Sequence, residues 1–162
     1  MWELTGHGPG VLTAWARLKW LVANAPEIYD GTRTVCAIAD WIVLELTGEL
    51  MMEQSLAVES SLGLVASGEP ARALAPALNL DDFTLPATCP PGTVVGKLRS
   101  ARARSLGLPA GIPVVACGPD TQSGLLGLGV QLPNAVGIVS GLSTACQRVT
   151  ARPVFDDTRA MW

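Results

Sequence analysis

A single aspartate stands where a side chain could do acid–base chemistry on a ligand. Residues 113–117 form an apolar run that predicts a buried strand, and Gly118-Pro119 ends it, so Asp120 emerges at the strand's carboxyl end. A carboxylate exposed there can accept a proton from a ligand hydroxyl. Asp120 could instead only cap the helix predicted over residues 121–129, and its position alone favours that simpler use.

A glycine turn follows the next predicted strand. Two predicted strands, 136–140 and 146–150, flank the segment Ser140-Gly141-Leu142-Ser143-Thr144. Gly141 lets the chain turn without a Cβ in the way, and the hydroxyls of Ser143 and Thr144 could then face a bound phosphate. A plain hairpin turn explains the same residues, and the turn taken by itself favours the hairpin.

The elements before these two sites are mostly helical in pattern. Helices are predicted over 11–23 and 35–46, a third element of unspecified type over 54–62, a short or broken helix over 69–80, an extended segment at 93–96 and a helix over 99–106. Trp15, Trp20 and Trp41 fall at helical spacing, which predicts that all three lie in the core. Turn-forming residues at 107–111 separate this region from the strand at Pro113 and mark a domain boundary.

Composition and charge exclude several classes of function. The chain has 11 basic and 14 acidic residues, a net charge of −3 and no stripe of lysine or arginine, so nucleic acid is not an expected partner. No run of about 18 apolar residues predicts a membrane span. The four cysteines are far apart and there is one histidine, which argues against a zinc site or a disulfide framework and predicts buried free thiols and a cytoplasmic location.

Six segments occur in a fixed order over nearly the whole chain. They are 17–29 (RLKWLVANAPEIY), the pair 40–42 (DWI) and 46–49 (LTGE), 92–96 (GTVVG), 107–113 (GLPAGIP), 115–122 (VACGPDTQ) and 140–144 (SGLST). In this order they resemble the FGGY family of carbohydrate kinases, which includes xylulokinase, ribulokinase and glycerol kinase. Each segment alone is weak, but the ordered set is specific.

The resemblance implies a fold, a reaction and a set of residues. The fold would be α/β, part of a ribonuclease H-like (actin-like ATPase) architecture, and the reaction ATP-dependent phosphorylation of a sugar or polyol hydroxyl with ATP and Mg²⁺ as cofactors. Asp120 would be the catalytic base and would bind substrate together with Thr121 and Gln122. Gly141, Ser143 and Thr144 would contact the ATP phosphates, and no metal ligand is assigned.

Two departures from the family pattern leave an alternative open. Leu142 stands where the family usually has threonine, and Pro119 removes a backbone amide before the aspartate. The alternative is a degenerate, inactive kinase homologue that serves as a binding or interaction module. A hydrolase or another actin-like ATPase is disfavoured, because lone His7 is the only histidine available to a serine or cysteine nucleophile.

The resemblance also implies that the chain is the central fragment of a kinase. Residues 1–108 would be the later part of the family's N-terminal domain, and residues 109–162 the start of its C-terminal domain. The isolated chain is expected to be inactive, and its macromolecular partner would be a second copy or the missing kinase segments. The residues that select the sugar lie mostly elsewhere, so the substrate is open. Asp120 and the Gly141 turn are expected to follow neighbouring strands of one sheet.

Overall fold

The computed structural model describes residues 1–80, 83–141, 144–155 and 157–158. The chain divides into two compact units, Met1–Cys117 and Gly118–Trp162. The family domain boundary expected near Leu108 stays a prediction. Among the described residues, no helix has the length and apolarity needed to cross a bilayer.

The secondary structure alternates short helices with short strands. The helices are α1 Trp2–Thr5, α2 Ala14–Asn24, α3 Pro26–Asp30, α4 Ile38–Thr47, α5 Gln54–Glu59, α6 Leu74–Ala77, α7 Ser100–Leu106 and α8 Asp120–Gly127. The strands are β1 Met52–Glu53, β2 Thr88–Cys89, β3 Val94–Lys97, β4 Pro113–Val115, β5 Val136–Ser140 and β6 Thr144–Arg148. The class is therefore α/β, as predicted.

The core of the first unit gathers around a buried tryptophan of α2. Trp15 is 1% exposed, its indole Nε1 donates to the Ser61 carbonyl over 2.6 Å, and its ring centroid lies 6.2 Å from that of Phe83. Trp20 and Trp41 are 59% and 52% exposed, so the prediction that both lie in the core is wrong. Trp20 is five residues after Trp15, and 100° per residue turns it about 140° away from the buried face.

Two small sheets complete the first unit. β1 and β2 pair in parallel, with Glu53 opposite Cys89, while β3 and β4 pair antiparallel. Because β4 pairs with β3, the first unit extends as far as Cys117. A Cβ added at Gly96 of β3 would stand 2.9 Å from the Thr47 Cβ, so only glycine allows this approach of β3 to the end of α4.

The second unit contains α8 and the antiparallel hairpin of β5 and β6, whose register runs from Val136 opposite Arg148 to Ser140 opposite Thr144. The expectation that β4 and β5 share one sheet is wrong, because each belongs to a separate two-stranded sheet with another partner, so the described strands do not give the shared sheet on which the assignment of Asp120 and the Gly141 turn to one site was to rest. β5 and β6 are separated by a short connection, and closing a short loop costs little conformational entropy. This favours the pairing of β5 with β6.

All four cysteines are free, as predicted, but they are not all buried. Cys89 is buried and Cys36 is partly buried, whereas Cys117 and Cys146 are exposed. The prediction of buried thiols is therefore wrong for the last two. Cys146 lies in β6 at a position that points away from α8, since exposed and partly buried residues alternate along this strand.

Candidate active site

Asp120 begins α8 rather than capping it. Pro119 occupies the N-cap position with no side-chain hydrogen bond, and the Asp120 carboxylate accepts through Oδ1 from the adjacent Thr121 amide, over 2.8 Å. The expectation that Asp120 sits at the N-cap is wrong by one residue, because Pro119 already has the extended ψ of 157° that an N-cap needs. Asp120 is exposed, and its Oδ2 accepts no hydrogen bond from a described residue.

Backbone and hydroxyl contacts hold the turn that leads into α8. The Ser123 amide donates to the Pro119 carbonyl over 2.9 Å, and the Ser123 hydroxyl donates to the Gly118 carbonyl over 3.3 Å. Pro119 itself is buried. The turn is therefore fixed from within, which leaves the Asp120 carboxylate available to a ligand.

Thr121 and Gln122 are linked to each other. The Thr121 hydroxyl donates to Gln122 Oε1 over 2.6 Å, and both residues are partly exposed. With its carbonyl oxygen engaged, the Gln122 side chain has its NH₂ group left as the outward hydrogen-bonding group. The start of α8 thus offers a proton acceptor, Asp120, and an amide donor, Gln122.

α8 packs antiparallel to β5. A Cβ at Gly124 would lie 3.1 Å from Val139, whereas a Cβ at Gly137, two residues earlier in β5, would overlap the Leu125 side chain and lie 3.2 Å from Val130, which follows the helix. As the helix advances, its contacts therefore step back toward the start of β5. Asp120 precedes Gly124 by about 6 Å of helix, and Gly141 follows Val139 by about 6.6 Å of extended chain. Asp120 and the Gly141 turn consequently lie at the same end of the second unit.

The hairpin turn places two hydroxyls side by side. Ser140 Oγ and Thr144 Oγ1 are 3.2 Å apart across the opening of the hairpin, and both residues are exposed, as is Gly141. Leu142 and the predicted phosphate-binding Ser143 lie outside the described residues. The sequence analysis did not include Ser140 among the phosphate-binding residues. Its position directly before Gly141 could have indicated that it lies beside Thr144 at the turn.

The described residues contain no cluster of three or more histidine, cysteine, aspartate or glutamate side chains able to hold a metal ion. The prediction assigned no metal ligand. Of the remaining predicted residues, Asp120, Thr121 and Gln122 lie together at the start of α8, and Gly141 and Thr144 lie together at the hairpin turn.

Comparisons with known proteins identify relatives of this chain. The N-terminal domain of the FGGY family of carbohydrate kinases matches residues 2–127, a range that includes Asp120 and ends before the hairpin turn. The chain is 35% identical over 142 residues to the autoinducer-2 kinase of Klebsiella pneumoniae, and this match covers 88% of the chain and 26% of that kinase.

Solved structures of sugar kinases are also similar to this chain. The xylulose kinase of Rhodospirillum rubrum is similar with a TM-score of 0.86 at 26% identity, over 96% of this chain and 32% of that one. The gluconate kinase of Lactobacillus acidophilus is similar with a TM-score of 0.89 at 18% identity, over 98% and 32% respectively. The fold is thus part of the actin-like fold of sugar kinases, and the chain spans about a quarter of the curated relative it matches. This chain belongs to the FGGY family of carbohydrate kinases.

Proposed function

We propose that this chain supplies the catalytic base and part of the phosphate site for ATP-dependent phosphorylation of a sugar or polyol hydroxyl. The observation that carries the proposal is the shared position of Asp120 and the Gly141 turn at one end of the second unit. The family match through residue 127 supports the assignment of Asp120. Because the chain spans 26% of its relative, the activity is proposed for a complete kinase.

The residues divide the chemical work between them. Asp120 takes the proton of the substrate hydroxyl through Oδ2 while the hydroxyl oxygen bonds to the γ-phosphorus of ATP and the bond from that phosphorus to the departing ADP oxygen breaks. The Gln122 NH₂ donates to a neighbouring substrate oxygen and fixes the sugar in place. The Gly141 backbone and the Thr144 hydroxyl hold phosphate oxygens, and Ser143 has the same role as a prediction. ATP supplies the transferred phosphoryl group when it is bound.

The residues fit a nucleotide phosphate better than a resident metal. Ser140 and Thr144 present paired, exposed hydroxyls beside a glycine, which is the donor set that phosphate oxygens require. Mg²⁺ in kinases is usually held by one or two carboxylates together with substrate phosphates. In sequence, the carboxylates nearest to this arrangement are Asp156 and Asp157, followed by Asp120. Of these, this proposal places only Asp120 beside the substrate, so a Mg²⁺ ion would depend mainly on the phosphates.

The wider properties of the complete protein stay proposals. A cytoplasmic location rests on the free cysteines, and the partner would be the remaining kinase segments or a second copy. The names of the relatives leave several acceptors open, since they include autoinducer-2, xylulose, gluconate and glycerol kinases. An inactive homologue acting as an interaction module remains the second candidate, favoured by the buried Pro119 before the aspartate.

The test places these residues in a complete enzyme. A chimera would carry residues 1–162 in place of the matching segment of the autoinducer-2 kinase, and sugar-dependent ATP consumption would be measured. Asp120→Asn should reduce kcat at least about a hundredfold, because asparagine cannot accept the proton. Asp30→Asn, an exposed aspartate in the first unit, is the matched control and should leave kcat unchanged. A folded chimera without turnover would favour the inactive homologue, and an active Asp120→Asn chimera would contradict the assignment of the base.

A further inference from the structure

One side of α4 presents an apolar stripe to solvent. Ile38, Trp41 and Ile42 follow the spacing i, i+3 and i+4, which places them on one face of the helix. They are 76%, 52% and 46% exposed. A contiguous apolar patch of this kind marks an interaction surface, whereas single exposed apolar residues need no explanation.

The polar residues of α4 are all engaged within the first unit. Asp40 accepts from a backbone amide over 2.8 Å, Thr47 donates to a backbone carbonyl over 2.7 Å, and Glu45 forms an ion pair with Arg102 of α7. Other apolar residues of the helix are partly buried: Val43, Leu44 and Leu46. A helix that is apolar on both sides belongs in the interior of a larger protein, so α4 is built to be covered on the stripe side as well.

Positive charge lies at the C-terminal end of the apolar stripe. Glu45, which Arg102 contacts, follows the stripe by one helical turn on the same face. Arg99 lies beside the end of α4, with its guanidinium carbon 3.9 Å from where a Cβ on Gly48 would stand. Arg99 is exposed and has no ion-pair partner among the described residues. The surface therefore fits an apolar segment that carries a carboxylate at this end.

A second copy of the chain fits this surface poorly. The three side chains of the stripe together expose roughly 300 Å². Stripe against stripe would bury roughly 600 Å² in all, the size of a crystal-packing contact rather than of a stable dimer. A symmetric pair would also bring Arg99 against either the same end or the first turn of the other α4. The acidic residue of that turn, Asp40, is 3% exposed and offers no carboxylate.

We propose that the apolar stripe of α4 is the docking face for the remaining segments of the kinase, through an apolar element that carries a carboxylate opposite Arg99. The chain spans 26% of the autoinducer-2 kinase of Klebsiella pneumoniae, so most of that protein lies outside the matched part. The contact is a permanent one, because α4 has no solvated polar side of its own. The inference rests on the family membership behind the proposed function and does not depend on Asp120.

Maleimide labelling compares the 162-residue chain with the chimera. Ile38→Cys should react as an exposed thiol in the chain and at least about tenfold more slowly in the folded chimera, with the rate at each site read by mass spectrometry. Asp30→Cys, at a charged and exposed site of α3, is the matched control and should react alike in both proteins. Equal rates for Ile38→Cys would overturn the inference. A folded chimera that protects Ile38→Cys but lacks sugar-dependent turnover would support the docking face and contradict only the proposed function.

The oligomeric state of the chain tests the other occupant. Sedimentation equilibrium should give a monomer, and a dimer that Ile38→Asp converts to a monomer would overturn the inference in favour of a second copy. Ile38 is the first residue of α4, where an acidic side chain favours the helix, so Ile38→Asp does not act by unfolding it.

Co-expression keeps the inference testable if the chimera fails to fold. The parts of the autoinducer-2 kinase outside the matched segment should co-purify with the wild-type chain, and Ile38→Asp should reduce their recovery at least about tenfold. Asp30→Asn should recover them as the wild type does. Equal recovery by Ile38→Asp, or no recovery by the wild type, would overturn the docking face.

Discussion

Gly124 of α8 faces Val139 of β5 so closely that an added Cβ would stand 3.1 Å from one valine methyl and 3.3 Å from the other. This contact sets the distance between helix and hairpin in the second unit. Together with the contacts of Gly137 with Leu125 and Val130, it gives the direction of α8 along β5, and with it the common position of Asp120 and the Gly141 turn. Of the three glycines in and just after α8, Gly124, Gly127 and Gly129, Gly124 alone has this role, since a Cβ at Gly127 or Gly129 would meet nothing within 4 Å.

The glycine contact gives the first prediction. Gly127→Ala should stabilise the second unit by at most about 0.5–1 kcal/mol, because alanine favours the helix, Gly127 is its last residue, and the added Cβ meets nothing there. Gly124→Ala should gain less or lose stability, since Val139 has to move, and Gly124→Val should cost about 1–3 kcal/mol by overpacking. Amide hydrogen exchange of β5 measures the stability of this unit. Equal effects of alanine at the two positions would contradict the packing.

The second prediction concerns Thr121 as a positioning residue. Thr121→Val removes the hydroxyl that engages Gln122 Oε1, so the Gln122 amide is no longer oriented and the sugar KM of the active chimera should rise about fivefold. The value of kcat should change little, because Asp120 is untouched. Thr121→Ser keeps the hydroxyl and should restore the KM. A Thr121→Val chimera with wild-type KM would show that the hydrogen bond does not orient the substrate.

A third prediction follows from backbone strain at Ser61. This buried serine has φ of 64°, a left-handed conformation that costs a residue with a Cβ about 1–2 kcal/mol. Ser61→Ala and Ser61→Gly both lose the hydroxyl, but only glycine removes the strain, so Ser61→Gly should be the more stable variant by about 1 kcal/mol. Thermal or urea unfolding measures the difference.

The neighbouring serine provides the control for that comparison. Ser60 has φ of −79° in the right-handed region, where glycine gains nothing. Ser60→Gly should therefore be less stable than Ser60→Ala by about 0.5–1 kcal/mol. The same sign at both positions would mean that the left-handed conformation at Ser61 stores no strain.

Local sequence patterns predicted which helices and strands exist better than the residues at which they begin and end. The helix predicted from residue 11 begins at Ala14, because the Thr13 hydroxyl accepts from the Ala16 amide and caps it there. Val11 and Leu12 fit the predicted helix by their apolarity, yet they are 82% and 76% exposed. Periodicity reads residue types, and it cannot distinguish an exposed apolar residue from a buried one.

In the candidate site, too, some features could be predicted from the sequence and others could not. The order of strand, Asp120, helix and glycine turn could be read from the sequence, and the family resemblance supplied the roles. The pairing of β5 with β6 could be read from the sequence as the hairpin that the glycine turn favours. The partner of β4 could not be read, since short strands of similar composition carry little information about which strand they join. The approach of α8 to β5 depends on Gly124, Val139, Leu125 and Gly137 together, a set of tertiary contacts that no single motif encodes.

The last prediction concerns the 162 residues on their own. Phosphoryl transfer needs both sides of a cleft to position ATP and to exclude water, and such positioning supplies on the order of 7–11 kcal/mol of the lowered barrier. The purified chain should therefore show no sugar-dependent ATP consumption. Asp120→Asn in this chain should leave the Tm nearly unchanged, because asparagine can still accept from the Thr121 amide, the one hydrogen bond that the carboxylate makes within the described residues. Turnover by the purified chain that is lost in Asp120→Asn would show that these residues already form a working cleft.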